Sequence, residues 1–425
     1  MARILLVLMP FAGHVAPMRA IAAELVGRGH DVRAYTGARY AEAFTSVGAE
    51  HLPWKEAPDF DENDLEATFP DLGNRRGMRQ LVANIQQVFI GTAAAQLRDL
   101  ERAWDDKPWD VLVAESTSVG AMLAAERLPA SWVTIGITPL TIPASDRPPS
   151  GLRLKPGTGP LGRMRDAALR SALDVGVRFA QRSYDAERAR AGLPAAATRF
   201  DAASYSTLLT LASGVPALDF APLTRPDWVE FVGRIAPVPA AEQPLPAWWS
   251  ELEGSGRPVV LVTQGTFNLD PTDLIRPALQ ALDGEDALVV ATTGSVGVAF
   301  DFAVPSNARV SQFIPFERLL PLTSVMITNG GWGGTLAGLA AGVPLIVAGG
   351  DLDKPEVAAR VAYSGAGVDL RTGRPSRSAI ARAYGRVTNE PGFRAAAGRV
   401  AADLARHDGA REVADRLEAV VAASG

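Results

Sequence analysis

The chain has no cysteine. Disulfides, thiolate nucleophiles and cysteine-ligated metals are therefore excluded. It is also poor in lysine: of 42 basic residues only Lys55, Lys107, Lys155 and Lys354 are lysines. With a net charge of −5 and no basic run interleaved with aromatics, it lacks the surface that nucleic acid requires. Only four histidines occur: His14, His30, His51 and His407. No stretch approaches the roughly 20 apolar residues of a membrane span. The apolar run Ile4–Met9 is broken by Pro10, Gly13 and Pro17 before it reaches signal-peptide length. These absences predict a soluble, cytoplasmic protein that binds neither membrane nor nucleic acid.

What is present is the composition of a folded globular protein, 47% apolar and 21% charged over 425 residues, which suits two domains. Short β-branched runs alternate with longer amphipathic stretches, the pattern of βαβ units and a parallel sheet. A first strand over Arg3–Met9 leads through a glycine-containing loop to a helix from about Pro17 to Val26. Further strands are expected at Asp31–Thr36, Val111–Ala114, Ser131–Ile135 and Tyr205–Leu211. Prolines then crowd the chain between Gly214 and Gly256, marking a semi-rigid connector. The rhythm restarts at Pro258–Thr263 and continues through Ser324–Thr328 and Pro344–Val347. The expected class is α/β, with two Rossmann-like doubly wound domains facing each other across a cleft. The expected division is an N-terminal domain over 1–215, a linker over 216–250 and a C-terminal domain over 251–400. A final helix over 401–425 is expected to pack back toward the N-terminal domain.

The strongest local signal is Thr328-Asn-Gly-Gly-Trp-Gly-Gly-Thr335, between an apolar strand and a helix. Four glycines allow close backbone approach, and a helix N-terminus offers free N–H groups and the positive end of its dipole. That combination suits a diphosphate; the alternative is a glycine-rich turn with no ligand. It is neither a Walker loop nor G-x-G-x-x-G.

Phe313-Ile-Pro-Phe, Leu319-Leu-Pro321, the glycine cluster, Gly342-Val-Pro344 and Asp353-Lys-Pro-Glu-Val-Ala-Ala-Arg-Val361 follow one another in a set order. Together with Gly365-Ala-Gly367 and, after the first strand, Phe11-Ala-Gly-His-Val-Ala-Pro17, this pattern resembles the UDP-glycosyltransferase superfamily of GT-B fold. It is most similar to bacterial enzymes that glycosylate antibiotics. The resemblance implies an inverting transfer of a sugar from a UDP- or TDP-sugar to a hydroxyl of a small apolar natural product. No cofactor and no metal are implied. His14 matches the general base, and Glu115 stands where the family has its partner Asp. The donor contacts implied are Gly265 and Thr266 at the diphosphate, Phe313 and Ile314 at the base, and Asn329, Gly331, Trp332, Gly333, Gly334 and Thr335 in the cradle. Asp353 and Lys354 match the pair that bonds the sugar hydroxyls.

Three departures stand out. The family's cradle histidine is Asn329, its ribose-binding Glu is Ala337, and the Gln beside Asp353 is Lys354. Asp351-Leu-Asp353 spells a metal motif of a different transferase fold, but no further ligand cluster accompanies it. The acidic run Asp59–Glu66 reads as a solvated loop or as part of the acceptor mouth. A nicotinamide or flavin oxidoreductase fits the doubly wound pattern but not the absence of G-x-G-x-x-G. A non-catalytic nucleotide-sugar binder and an epimerase of the same fold remain as alternatives.

Overall fold

The computed structural model describes the chain except for residues 74–77, 221–224, 239–243, 266–269, 295–300 and 425. Two sheets carry it, and every strand pair in them is parallel. The first contains β1 (Arg3–Val7), β2 (Asp31–Thr36), β3 (Glu50–Pro53), β4 (Val111–Glu115), β5 (Ser131–Gly136), β6 (Thr210–Ala212) and β7 (Val229–Phe231). Their spatial order is β3-β2-β1-β4-β5-β6-β7. The second contains β8 (Val259–Thr263), β9 (Leu288–Thr292), β10 (Ala308–Ser311), β11 (Thr323–Thr328), β12 (Leu345–Val347) and β13 (Gly367–Asp369), in the order β10-β9-β8-β11-β12-β13. Central strands such as Val111-Leu-Val-Ala-Glu115 and Val259-Val-Leu-Val-Thr263 are buried along their whole length. Helices cover both faces, so these strands read as continuous apolar runs rather than as alternation.

In each sheet the chain direction of growth reverses once, between β1 and β4 and between β8 and β11. At such a reversal the connections leave to opposite faces and open a crevice at the carboxyl ends of the strands. The first crevice lies beside the residues following Val7 and Glu115, the second beside those following Thr263 and Thr328.

Some segments differ from the sequence reading. The proline-rich stretch supplies β7, which pairs with β6 at the edge of the first sheet. The first helix starts at Ala12, not near Pro17, and runs to Gly27 with Pro17 inside it. A proline in the second turn removes only the bond to the Gly13 carbonyl, so the glycine that read as loop sits within the helix, ahead of the proline expected to start it.

The halves are joined by specific contacts. The side chains of Val413, Ala414 and Leu417, from the last helix Gly409–Ser424, enter the core of the first half. Arg28 of the first helix pairs with Asp415 and Glu418 at 2.6 and 3.2 Å. Arg360, on the helix Lys354–Ser364, is buried and reaches the carbonyls of Leu140 at 2.6 Å and Leu218 at 3.2 Å, with carboxylate partners Asp219 and Glu356. A buried guanidinium held by this many acceptors fixes that helix against the first half. Among the described residues no helix is long and apolar enough to cross a membrane.

Candidate active site

His14 stands in the first turn of the helix that follows β1, and Glu115 is the last residue of β4. Because β1 and β4 are neighbours, two side chains 101 residues apart in sequence meet: His14 Nδ1 lies 3.3 Å from Glu115 Oε1. The carboxylate is fully buried, while about 18% of the imidazole remains accessible. Glu115 is held from several directions. It accepts the Met9 N–H at 3.2 Å, the Thr117 N–H at 2.7 Å and the Thr117 hydroxyl at 2.7 and 2.8 Å. A carboxylate can only accept, so the bond to it assigns the proton of neutral His14 to Nδ1 and leaves Nε2 as the free acceptor.

The electrostatics follow from this packing. Burial disfavours the imidazolium, but the Glu115 charge and hydrogen bond, with the Asp353 and Glu62 charges, together outweigh it, so His14 titrates above an ordinary histidine. Burial likewise opposes the Glu115 charge, yet His14 and Thr117 hold its pKa below the usual carboxylate value. Asp353, the residue before the helix Lys354–Ser364 in the second half, is one of the charges that favour the imidazolium.

The other three histidines are accounted for elsewhere. His30 accepts the Ala2 N–H and pairs with Glu418, His51 bonds the Thr36 carbonyl, and His407 pairs with Glu412.

The second crevice holds the glycine cluster. Gly330 has φ +88° and no room for a Cβ, which would lie 2.7 Å from Val347 Cγ1; the chain turns there from β11 into the helix Trp332–Ala340. In the first turn of this helix the N–H groups of Trp332, Gly333 and Gly334 have no intrahelical acceptor. Gly333 is exposed, and a Cβ on it would meet nothing within 4 Å. Gly265, at φ +73°, packs close to the Asn329 amide, with a Cβ position 3.1 Å from Nδ2. Phe313 follows β10 with 47% of its surface exposed, and the carbonyl of its turn accepts from Ser311 Oγ at 2.9 Å.

The side chains of several residues read from the sequence as donor contacts bond or pack within the protein. Asn329 donates to the Gln264 carbonyl and accepts the Gly331 N–H at 3.3 Å, so its amide braces the β8 loop against the β11 loop. The Trp332 indole is buried and donates to Ser213 Oγ of the first half at 2.9 Å; only its backbone N–H faces the helix end. The Thr335 N–H bonds the Gly331 carbonyl and its side chain is fully buried. Ile314 is in the core. Lys354 is buried rather than solvated, with Nζ 2.8 Å from Asp351 Oδ1. Burial pushes the Asp353 carboxyl up, against the pull of Lys354 and His14. Thr266 lies outside the described residues.

Replacing Trp332 with Phe is expected to lower stability by about 1–3 kcal/mol, because the buried Ser213 oxygen loses its donor. Chemical denaturation of the variant checks this.

Three features escaped the sequence reading. Thr117 clamps both oxygens of Glu115 and is 3.4 Å from His14 Nδ1; a threonine two residues past a strand-end acid was a usable signal. The Phe11 ring touches the His14 ring at 5.3 Å between centroids, and Phe60 and Phe89 pack on Phe11 at 5.3 and 5.6 Å. Glu62 reaches the first turn of the His14 helix. The acidic run gave no sign of which acid would do so.

The chain is 41% identical to 4'-demethylrebeccamycin synthase of Lentzea aerocolonigenes, over 99% of this chain and 100% of the relative. The chain belongs to the UDP-glycosyltransferase superfamily. It is thus a glycosyltransferase, and the residues matched by the family described as erythromycin biosynthesis protein CIII-like, C-terminal domain, are 276–420. UDP-glycosyltransferase 2 of Phaeomoniella chlamydospora is 29% identical across 99% of this chain and 96% of its own. Among solved structures, the calicheamicin glycosyltransferase CalG4 superimposes with a TM-score of 0.74 at 23% identity, covering 99% of this chain and 98% of that one. VinC, crystallised with dTDP, superimposes at 0.70 with 21% identity and 99% coverage of both chains. These structural likenesses give the glycosyltransferase the GT-B fold of two facing α/β units.

Proposed function

We propose that this glycosyltransferase moves a sugar from a nucleoside diphosphate sugar, of uridine or thymidine, to a hydroxyl of a small apolar natural product, with inversion. The observation that carries the reading is His14, backed by Glu115 at 3.3 Å, at the carboxyl ends of the neighbouring strands β1 and β4. His14 Nε2 takes the acceptor proton as the oxygen attacks the anomeric carbon. The bond from that carbon to the phosphate oxygen breaks on the opposite face, and its electron pair leaves with the diphosphate. Attack and departure on opposite faces invert the centre. The N–H groups of Trp332, Gly333 and Gly334, with the positive helix end behind them, stabilise the leaving charge. The exposed Phe313 ring offers a stacking face to the nucleobase, and Asp353 accepts from sugar hydroxyls. Ala337 is buried and offers nothing to a ribose, so the base and diphosphate carry nucleotide recognition. Phe11, Phe60 and Phe89 form an aromatic wall beside the base, suited to an apolar acceptor. The 41% identical relative, named for a rebeccamycin-type product, supports a natural-product acceptor.

The test is a panel of UDP- and TDP-sugars against phenols and macrolactones, with products found by mass spectrometry and the new anomeric centre assigned by NMR. A product of retained configuration, or nucleotide release without transfer, would refute the reading. Turnover is expected to survive EDTA within about twofold, since amides and a helix end hold the diphosphate. Asp351 already has the Lys354 ammonium at 2.8 Å in the place a cation would take. Loss of activity on chelation, restored by Mg²⁺ or Mn²⁺, would make Asp351 and Asp353 a metal site.

A further inference from the structure

The helix that carries His14 begins without a cap of its own. Its N-cap residue is Phe11, whose side chain accepts nothing, and no acid lies in its first turn. The first four N–H groups of a helix need acceptors, and a carboxylate beside them is favoured by the dipole as well. Here the acceptor comes from a loop 50 residues away. Both oxygens of Glu62 lie within reach of the Ala12 N–H, at 3.1 and 3.0 Å, and the Tyr40 hydroxyl donates to Oε1. Most acids of the run are exposed to solvent, as a solvated loop requires, but the loop is anchored. Asp59 accepts the Ala38 N–H at 2.8 Å, Asp61 pairs with Arg39, and the buried Phe60 packs on Phe11, the ring that touches His14.

We propose that Glu62 is a positioning residue for the transfer reaction, holding the first turn of the His14 helix in place through the Ala12 N–H. This rests on the reading of His14 as the base. The charged groups that act on His14 come from three elements: Glu115 from β4, Glu62 from the acidic loop and Asp353 from the second half, and all three favour its protonated form. Glu62 itself is faced by Tyr40, with the Arg39–Asp61 pair beside it. Glu115 is fixed within the sheet, and Asp353 belongs to the other half. Of the three carboxylates, Glu62 is the one on the loop that carries Phe60. A base flanked by carboxylates holds the proton it has taken more firmly, which favours its removal from the acceptor.

The experiment is a titration of the His14 imidazole by NMR, assigned from the spectrum of His14→Ala, together with the pH profile of kcat/KM for the acceptor. Both are run on the full-length wild type, Glu62→Gln and Glu62→Asp. The glutamine keeps an oxygen for the Ala12 N–H but removes the charge. In Glu62→Gln the imidazole is expected to titrate at lower pH than in wild type, and the acid limb of the profile to move with it. The plateau rate should fall about 3- to 10-fold while nucleotide affinity stays unchanged. Glu62→Asp, which keeps the charge, is expected to hold the limb near its wild-type position. A Glu62→Gln enzyme whose imidazole and acid limb both stay at the wild-type pH overturns the proposal, even if its rate drops. If that variant does not fold, an Asp variant with the limb displaced as far as loss of charge would displace it has the same force. Near-normal transfer by His14→Ala would instead overturn the reading of the base, an outcome separable from the first.

Discussion

His14→Ala is expected to lower the rate of sugar transfer by on the order of 10²–10⁴, with the affinity for the nucleotide left nearly intact. The imidazole sits in the first half, beside Glu115 and Phe11, while the glycine cradle and Phe313 belong to the second. Its loss therefore removes proton transfer without touching the groups proposed to hold the donor. Steady-state kinetics with a saturating acceptor, paired with calorimetric binding of the bare nucleotide diphosphate, separate the two effects. A variant that still transfers sugar at near wild-type rate would take His14 out of the chemistry. Equal loss of nucleotide binding would make it part of the donor site.

Glu115→Gln is expected to cost on the order of 10²–10³ in kcat and to move the acid limb to lower pH. The sign follows from the cause. Glu115 raises the His14 pKa by charge and by hydrogen bond, so removing the charge lets the imidazole titrate lower. The size follows from the packing. Both oxygens of Glu115 are acceptors for Met9, Thr117 and His14, whereas glutamine has one oxygen and an NH₂ that would face other donors. The tautomer that leaves Nε2 free is then no longer enforced. Asp110→Asn is the control. Asp110 lies just before β4, at the opposite edge of the sheet, bonded to the Arg3 backbone and guanidinium at 2.8 Å. Its replacement is expected to leave turnover within about twofold. A pH profile unchanged by Glu115→Gln would separate Glu115 from the base.

The cores of the βα units were legible because parallel strands covered on both faces must be apolar throughout. Val259-Val-Leu-Val-Thr263 is such a strand, and Val111-Leu-Val-Ala-Glu115 ends in the acid that meets His14. Helix starts were less legible. Gly13 and Pro17 carry the composition of a loop, and only the surrounding structure turns Ala12–Gly27 into one helix. Tyr205–Leu211 reads as a strand, yet pairing occurs only over Thr210–Ala212, since Ser206 bonds Thr134 and Trp132 through side chains instead. Within the cradle the glycines were readable as a close approach of backbone. The fate of the side chains between them was not: whether Asn329 points to a phosphate or to the Gln264 carbonyl depends on β8 standing next to β11.

By itself, then, the sequence determined the alternating architecture, the family and the residue types available for chemistry. Periodicity, glycine placement and motif order are local properties, and each unit folds its own apolar face inward. Only the tertiary structure decided which of those residues meet. The strand order set β4 beside β1 and brought Glu115 to His14 across 101 positions. A loop fold carried Glu62 to an uncapped helix, and burial between the halves drew the Trp332 indole to Ser213. Hydrogen bonds and charge pairs act over a few ångströms, so their partners are fixed by packing and not by spacing along the chain.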